Sequence, residues 1–252
     1  AGLAAPDPLE RSAAVRLLSS VDAMLPKLRP LLKDPVRLVR LDAAWALSRE
    51  LPEGSAERRE LDTMLKLTID QPAGRARWAQ DLSNRGHLAD AERELALAEK
   101  WDPFSPGLKE SHGFVLNAMG RNVEAAALFY RAAQLDPGAS DPAFRAGLAY
   151  AEAGRIAEAE TSLRLALQRN PSLHRAWYNL GLLLASQERL SDAADALRHA
   201  ETLLPSEVDY PYALATVLIR QGDRSGAAVA AARVLAIDPG HAGARQLLQQ
   251  LR

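Results

Sequence analysis

The strongest constraint on this chain is an internal period. Pro103, Pro137, Pro171, Pro205 and Pro239 recur every 34 residues, and Ala91, Ala125, Ala159, Ala193 and Ala227 keep the same interval in register with them. A third column holds Ala98, Ala132, Ala166 and Ala200 and is broken by Val234; a fourth holds Gly86, Gly120, Gly154 and Gly222 and is broken by Glu188. Gly113, Gly147 and Gly181 fall at one earlier position, where the outer copies carry Ala79 and Ala215. A sequence periodic at this length builds its core by stacking copies of one supersecondary unit, each contacting only its neighbours.

Each column has a physical task. Small residues at the Gly113 and Ala125 columns let two helix backbones approach closely, and the mid-repeat glycine sits where one helix stops and the chain turns back. Proline, with no N–H and a fixed φ, closes the repeat, and the Asp before it in Asp102, Asp136 and Asp238 suits a turn or cap. The unit is therefore a helix, a tight turn, a second helix and a short loop, five times between Pro72 and His241.

These columns resemble the tetratricopeptide repeat, whose pattern is W-x2-L-G-x2-Y, then A-x3-F, A and P. Trp177, Leu180, Gly181, Leu184, Ala193, Leu197, Ala200 and Pro205 give the fullest copy; Gly147, Tyr150, Ala159, Leu163, Ala166 and Pro171 give another, and Gly113, Ala125, Phe129, Ala132 and Pro137 a third. The outer copies depart, with Arg75 and Pro211 at the Trp position, as end units of a solenoid do. The resemblance implies an all-α solenoid, a right-handed superhelix of antiparallel helix pairs, with repeats at 72–105, 106–139, 140–173, 174–207 and 208–241.

Residues 1–51 follow a different pattern. Leu25-Pro26, Leu28, Pro30-Leu31-Leu32 and Asp34-Pro35, then Val39-Arg40, Ala43-Ala44 and Ala46-Leu47, are similar to a HEAT repeat. Asp7-Pro8 with Arg11, Ala13-Ala14 and Leu17-Leu18 reads as the second half of a preceding, truncated copy. Pro52-Glu53-Gly54-Ser55 breaks the pattern, and within the joining segment 52–71 Glu57 to Thr68 predicts an amphipathic helix with Leu61, Met64, Leu65 and Thr68 on one face. Within 242–252 a last helix from Ala244, apolar at Leu247, Leu248 and Leu251, caps the array.

Little in the sequence points to chemistry. There is no cysteine, so disulfides, thiolate nucleophiles, Cys-bound zinc and covalent c-type haem are excluded from this polypeptide. His87, His112, His174, His199 and His241 lie in different repeats without metal-ligand spacing, and the glycines form no phosphate loop. His112 shares a column with Leu180 and Leu214 and reads as a packed, hydrogen-bonded side chain. Glu92, Glu94, Glu158 and Glu160 read as the solvated face of their helices. No catalytic residue, metal site or cofactor is expected. A net charge of −1 and a pI near 6.6 give no field to draw in nucleic acid. No run approaches the roughly 18 apolar residues of a membrane span, so membrane insertion is not expected either, and the compartment, cytoplasm or periplasm, stays open.

The resemblance places the first helix of each repeat on a concave groove that takes a peptide or a partner's surface. In this sequence that stripe is Arg77, Gln80 and Asn84; Glu110, Phe114 and Asn117; Asp141, Phe144, Arg145 and Leu148; Arg175, Tyr178, Asn179 and Leu182; and Tyr212, Thr216 and Arg220. Phe144, Tyr178 and Tyr212 share a column, an aromatic ladder serving either a ligand or the neighbouring helix. The family's chaperone-tail clamp is echoed only by Arg175 and Asn179, with Glu110 and Phe114 where Lys and Asn would be. A non-catalytic protein-binding scaffold is the leading expectation. The alternative is the C-terminal scaffold of a longer redox protein, since HEAT-like and then tetratricopeptide-like units are similar to the tail of certain bacterial multihaem cytochromes, with any haem upstream or on a partner.

Overall fold

The computed structural model describes residues 2–251 and is helical throughout, with no strand among the described residues. Its helices are α1 (Pro8–Leu18), α2 (Leu25–Leu28), α3 (Arg37–Ala46), α4 (Ala56–Lys66), α5 (Pro72–Asn84), α6 (Leu88–Trp101), α7 (Pro106–Ala118), α8 (Asn122–Leu135), α9 (Asp141–Glu152), α10 (Ile156–Arg169), α11 (His174–Ser186), α12 (Leu190–Leu203), α13 (Asp209–Gln221), α14 (Arg224–Ile237) and α15 (Ala242–Leu251). Short 3-10 turns at Gly2–Ala4, Asp22–Met24 and Arg29–Lys33 complete the amino-terminal part. The chain divides into two compact units, one ending at Met119 and one beginning at Gly120.

In the second unit each helix packs antiparallel against the next from α8 to α15, and α11 also touches α9 and α13, which places those three side by side in one layer. The columns explain the spacing. Gly147 sits so close to α10 that a Cβ would lie 2.7 Å from Leu163 Cγ, and Gly181 stands in the same relation to Leu197 Cγ on α12. Ala159, Ala166, Ala193, Ala200 and Ala227 have no exposed surface, and Val234 is equally buried where the alanine column breaks. Leu163, Leu180, Leu184, Leu197 and Leu214 fill the space between layers. Each such leucine contributes about 1.5–3 kcal/mol by leaving water. Leu247, Leu248 and Leu251 of α15 close the last face against this core.

The turns follow the glycine column. Gly120, Gly154 and Gly222 have φ of 75°, 71° and 88°, the left-handed region that a Cβ disfavours. Glu188, the residue that interrupts the column, adopts φ 61° all the same. The backbone turn is set by stacking of α11 and α12, and the side chain conforms to it. At the proline column, Asp136, Asn170 and Asp238 each accept a hydrogen bond from the backbone N–H two residues on, which fixes the loop into the next helix. Arg169 adds a clasp, its guanidinium donating to the carbonyls of Ala133, Asp136 and Ala139.

In the first unit α1 packs on α3, α3 on α4, α4 on α5, α5 on α6, and α7 on both α5 and α6. Asp7 caps α1, Ser55 caps α4 and Ser105 caps α7 through their side-chain oxygens. Gly54 in the expected break has φ 74°, and the joining helix runs over Ala56–Lys66 with Leu61 and Leu65 buried. Arg11 and Arg40 behave as copies of one position: each donates from Nη1 to the two carbonyls five and six residues back, and each forks onto a carboxylate of a later element, Asp34 and Glu60 respectively. Arg58 of α4 is 1% exposed and makes two 3.0 Å hydrogen bonds to the fully buried Asp81 of α5, with Asp62 and Arg85 in the same cluster.

Candidate functional site

The inner layer of the second unit is the place to look for binding chemistry. On α11, Arg175, Tyr178, Asn179 and Leu182 have the spacing of one helix face. Arg175 is exposed, has no carboxylate partner among the described residues, and places its guanidinium carbon 5.2 Å from the Phe144 ring centre. Asn179 donates from Nδ2 to the Arg175 carbonyl at 2.7 Å. Leu182 keeps 40% of its surface exposed, unusual for a leucine on an inner helix between two others. Tyr178 is half-buried; burial, and then Asp209 and Glu207, push its phenol above the ordinary value, so it stays a neutral donor.

The aromatic ladder does not form. Phe144 is 5% exposed and belongs to the core, with the Arg175 guanidinium over its ring. Tyr178 pairs instead with Tyr210, centroids 5.0 Å apart, and Tyr212 with His241 at 4.6 Å, where Gly243 leaves room for the phenol ring. Tyr210 was not expected in this surface. It is 4% exposed, its hydroxyl meets His174 Nδ1 at 2.6 Å, and burial raises its pKa. Its column partners Ala176 and Pro142 are buried too, and that column was the available signal.

The remaining stripe residues of this unit sort by position. Asp141 is exposed at the start of α9, Arg145 and Leu148 are half-buried, and Thr216 donates back to the Ala213 carbonyl. Arg220 is tied to the Ala185 carbonyl and to Glu188. In the first unit Arg77 is exposed and makes no hydrogen bond or ion pair among the described residues, while Gln80 bonds Asn84 at 3.0 Å. Glu110 is half-buried, Phe114 is 46% exposed and Asn117 is exposed on α7.

Away from the inner layer the polar residues serve structure. His112 is enclosed as expected, with Nδ1 2.6 Å from Glu99, which also accepts from Lys109. Burial pushes Glu99 up, but the His112 and Lys109 hydrogen bonds outweigh it and hold its pKa below the ordinary value. Glu94 and Glu160 correct the expectation of a merely solvated face. Glu94 holds Arg75, whose guanidinium covers Trp101 at 4.5 Å, and Glu160 joins α10 to Arg189 at the head of α12. A periodic pattern marks a face, and only the neighbouring helix supplies the cation. No group of His, Asp or Glu side chains suited to a metal ion occurs among the described residues, and no helix is long and apolar enough to cross a membrane.

Stacked antiparallel helix pairs with small residues at their crossings define an all-α solenoid. Residues 144–208 match the model of the tetratricopeptide repeat family. The chain is similar in fold to crystal structures of YrrB, described as a TPR protein with an unusual peptide-binding site, and of MamA. YrrB aligns with a TM-score of 0.63 at 18% identity, covering 75% of this chain and 97% of its own. MamA from Desulfovibrio magneticus RS-1 aligns with a TM-score of 0.61 at 23% identity, covering 69% and 98%. A search of the curated proteins finds no match. Repeats of this kind generally act as non-catalytic scaffolds that bind protein or peptide partners.

Proposed function

We propose that the chain is a non-catalytic interaction scaffold that holds an extended peptide or a partner's surface against the inner helices of its repeats. In this reading residues 72–241 work as five tandem repeats, residues 1–51 as a HEAT-like entry joined through 52–71, and 242–252 as the cap. The observation that carries it is the α11 stripe. An unpaired arginine, a neutral tyrosine, an amide and a 40% exposed leucine share one helix face. Arginine forks onto carboxylates and tyrosine donates without a desolvated charge, which are the properties that concentrate binding energy in protein interfaces. The peptide-binding site named for YrrB supports the same use of the fold.

The test is a random-peptide display selection on the full chain, followed by titration of the synthesised peptides. Arg175→Glu and Leu182→Asp should each weaken binding about tenfold or more with an unchanged melting temperature. Peptides whose affinity ignores both substitutions would refute this reading.

A further inference from the structure

The first unit holds a separate cavity where α5, which carries the first part of the repeat pattern, meets the helices before it. Between α1, α3, α4 and α5 lies an open cavity of about 420 Å³, lined by Arg16, Leu41, Asp42, Trp45, Met64 and Arg77. That volume is in the range of small-molecule and side-chain pockets. Its walls divide by chemistry. Leu41, Trp45 and Met64 are half-buried and supply an apolar surface with an indole and a thioether, both of which adapt well to inserted side chains. The rim is charged, and its charges do not cancel. Arg16 Nε lies 3.3 Å from Asp42, and Arg16 Nη2 donates to Ser12 Oγ, which in turn donates to Asp42, so Arg16 and Asp42 satisfy each other. Arg77 is left exposed, with no hydrogen bond or ion pair among the described residues. The pocket therefore carries one uncompensated positive charge beside an apolar surface.

We infer that this pocket receives an apolar side chain from a partner peptide in which the adjacent residue is acidic, with Arg77 forking onto that carboxylate. An unpaired guanidinium is a bidentate donor awaiting a planar anion, and an acidic residue next to the anchor satisfies it without burying a new unpaired charge. The ligand class is thus a short apolar-acidic motif in an otherwise extended segment. Arg77 shares α5 with Gln80 and Asn84, whose side chains bond each other and offer polar contacts for such a segment beyond the pocket. The inference rests on the peptide-binding reading but concerns other helices.

The experiment is an array of immobilised octapeptides in a Gly/Ser frame, carrying every pairing of residues at two adjacent positions, probed with the full chain. Wild-type protein should favour Leu, Met, Phe or Trp next to Asp or Glu. Arg77→Glu should cost those peptides about tenfold and move preference to an apolar residue beside Lys or Arg, whereas Arg175→Glu should leave them bound. Both substituted side chains are exposed, and circular dichroism of each variant checks that folding is intact. Peptides that bind regardless of Arg77 but are lost with Arg175→Glu would overturn the pocket and leave the second-unit groove standing. An array with no bound peptide overturns both.

Discussion

Gly181→Ala and Gly107→Ala add the same methyl group and should move stability in opposite directions. At Gly181 the new Cβ would lie 2.7 Å from Leu197 Cγ, 2.9 Å from its Cδ2 and 3.2 Å from the Ala193 carbonyl oxygen. Carbon atoms pack at about 3.5–4.0 Å, so roughly 1 Å must be found. Leu197 has no exposed surface and the third atom is backbone, so α11 and α12 must part. Such overpacking costs about 1–3 kcal/mol, against a helix-propensity gain of about 1 kcal/mol for alanine over glycine. The net runs from about zero to a loss of about 2 kcal/mol, centred near 1. At Gly107 no heavy atom lies within 4 Å and φ is not in the left-handed region, so the propensity gain stands alone. Melting followed by circular dichroism should place the Gly181 variant about 2–4 °C below wild type and the Gly107 variant slightly above it. Urea titration with m-values checks that both unfold as the wild type does. A Gly181→Ala protein stabilised by as much as the Gly107 variant would refute the close approach of α11 and α12. Gly147→Ala, with Leu163 Cγ at the same 2.7 Å, should repeat the Gly181 result.

Further outcomes follow from the same structure. Asp81→Ala removes the buried carboxylate that Arg58 and Arg85 share and leaves Arg58 with Asp62 alone, and should cost about 3 kcal/mol in urea unfolding, the low end for breaking a buried pair because one counter-charge remains. Phe144→Ala should lower stability by about 3–5 kcal/mol, since the ring is core; a variant that kept its melting temperature and lost only a partner would contradict that placement. Glu99 is a stronger acid folded than unfolded, so the native state binds fewer protons. Its contribution is complete above the ordinary 4.5 and drains away as pH falls through the lower folded value. Glu99→Gln should therefore flatten the acid limb of a stability–pH profile below that point. Glu188→Gly should relieve a left-handed residue at the cost of an exposed contact to Arg220, and its melting temperature should not fall.

Much of the architecture was legible because it repeats. Small residues at Gly147, Gly181, Ala159 and Ala193 mark helix crossings whatever the packing angle, since nothing larger fits a close backbone approach. Prolines after the second helix and glycines after the first mark the turns for equally local reasons. The site was legible only as a stripe. Helical spacing assigns a residue to a face but not to its depth, so Phe144 and Leu182 look alike in sequence although one is core and the other is 40% exposed. Depth depends on how far the next helix overlaps, and that is a property of the stack.

By itself the sequence determined the helix pairing within a repeat and the turn positions, because propensity, periodicity and backbone sterics act over a few residues. Tertiary structure alone decided which charges meet. Arg58 reaches Asp81 across α4 and α5, Arg189 reaches Glu160 across α10 and α12, and Arg77 reaches no carboxylate among the described residues. These outcomes turn on distances of a few ångströms between elements far apart in the chain, where Coulomb energy and desolvation change steeply and sequence spacing carries no record of either.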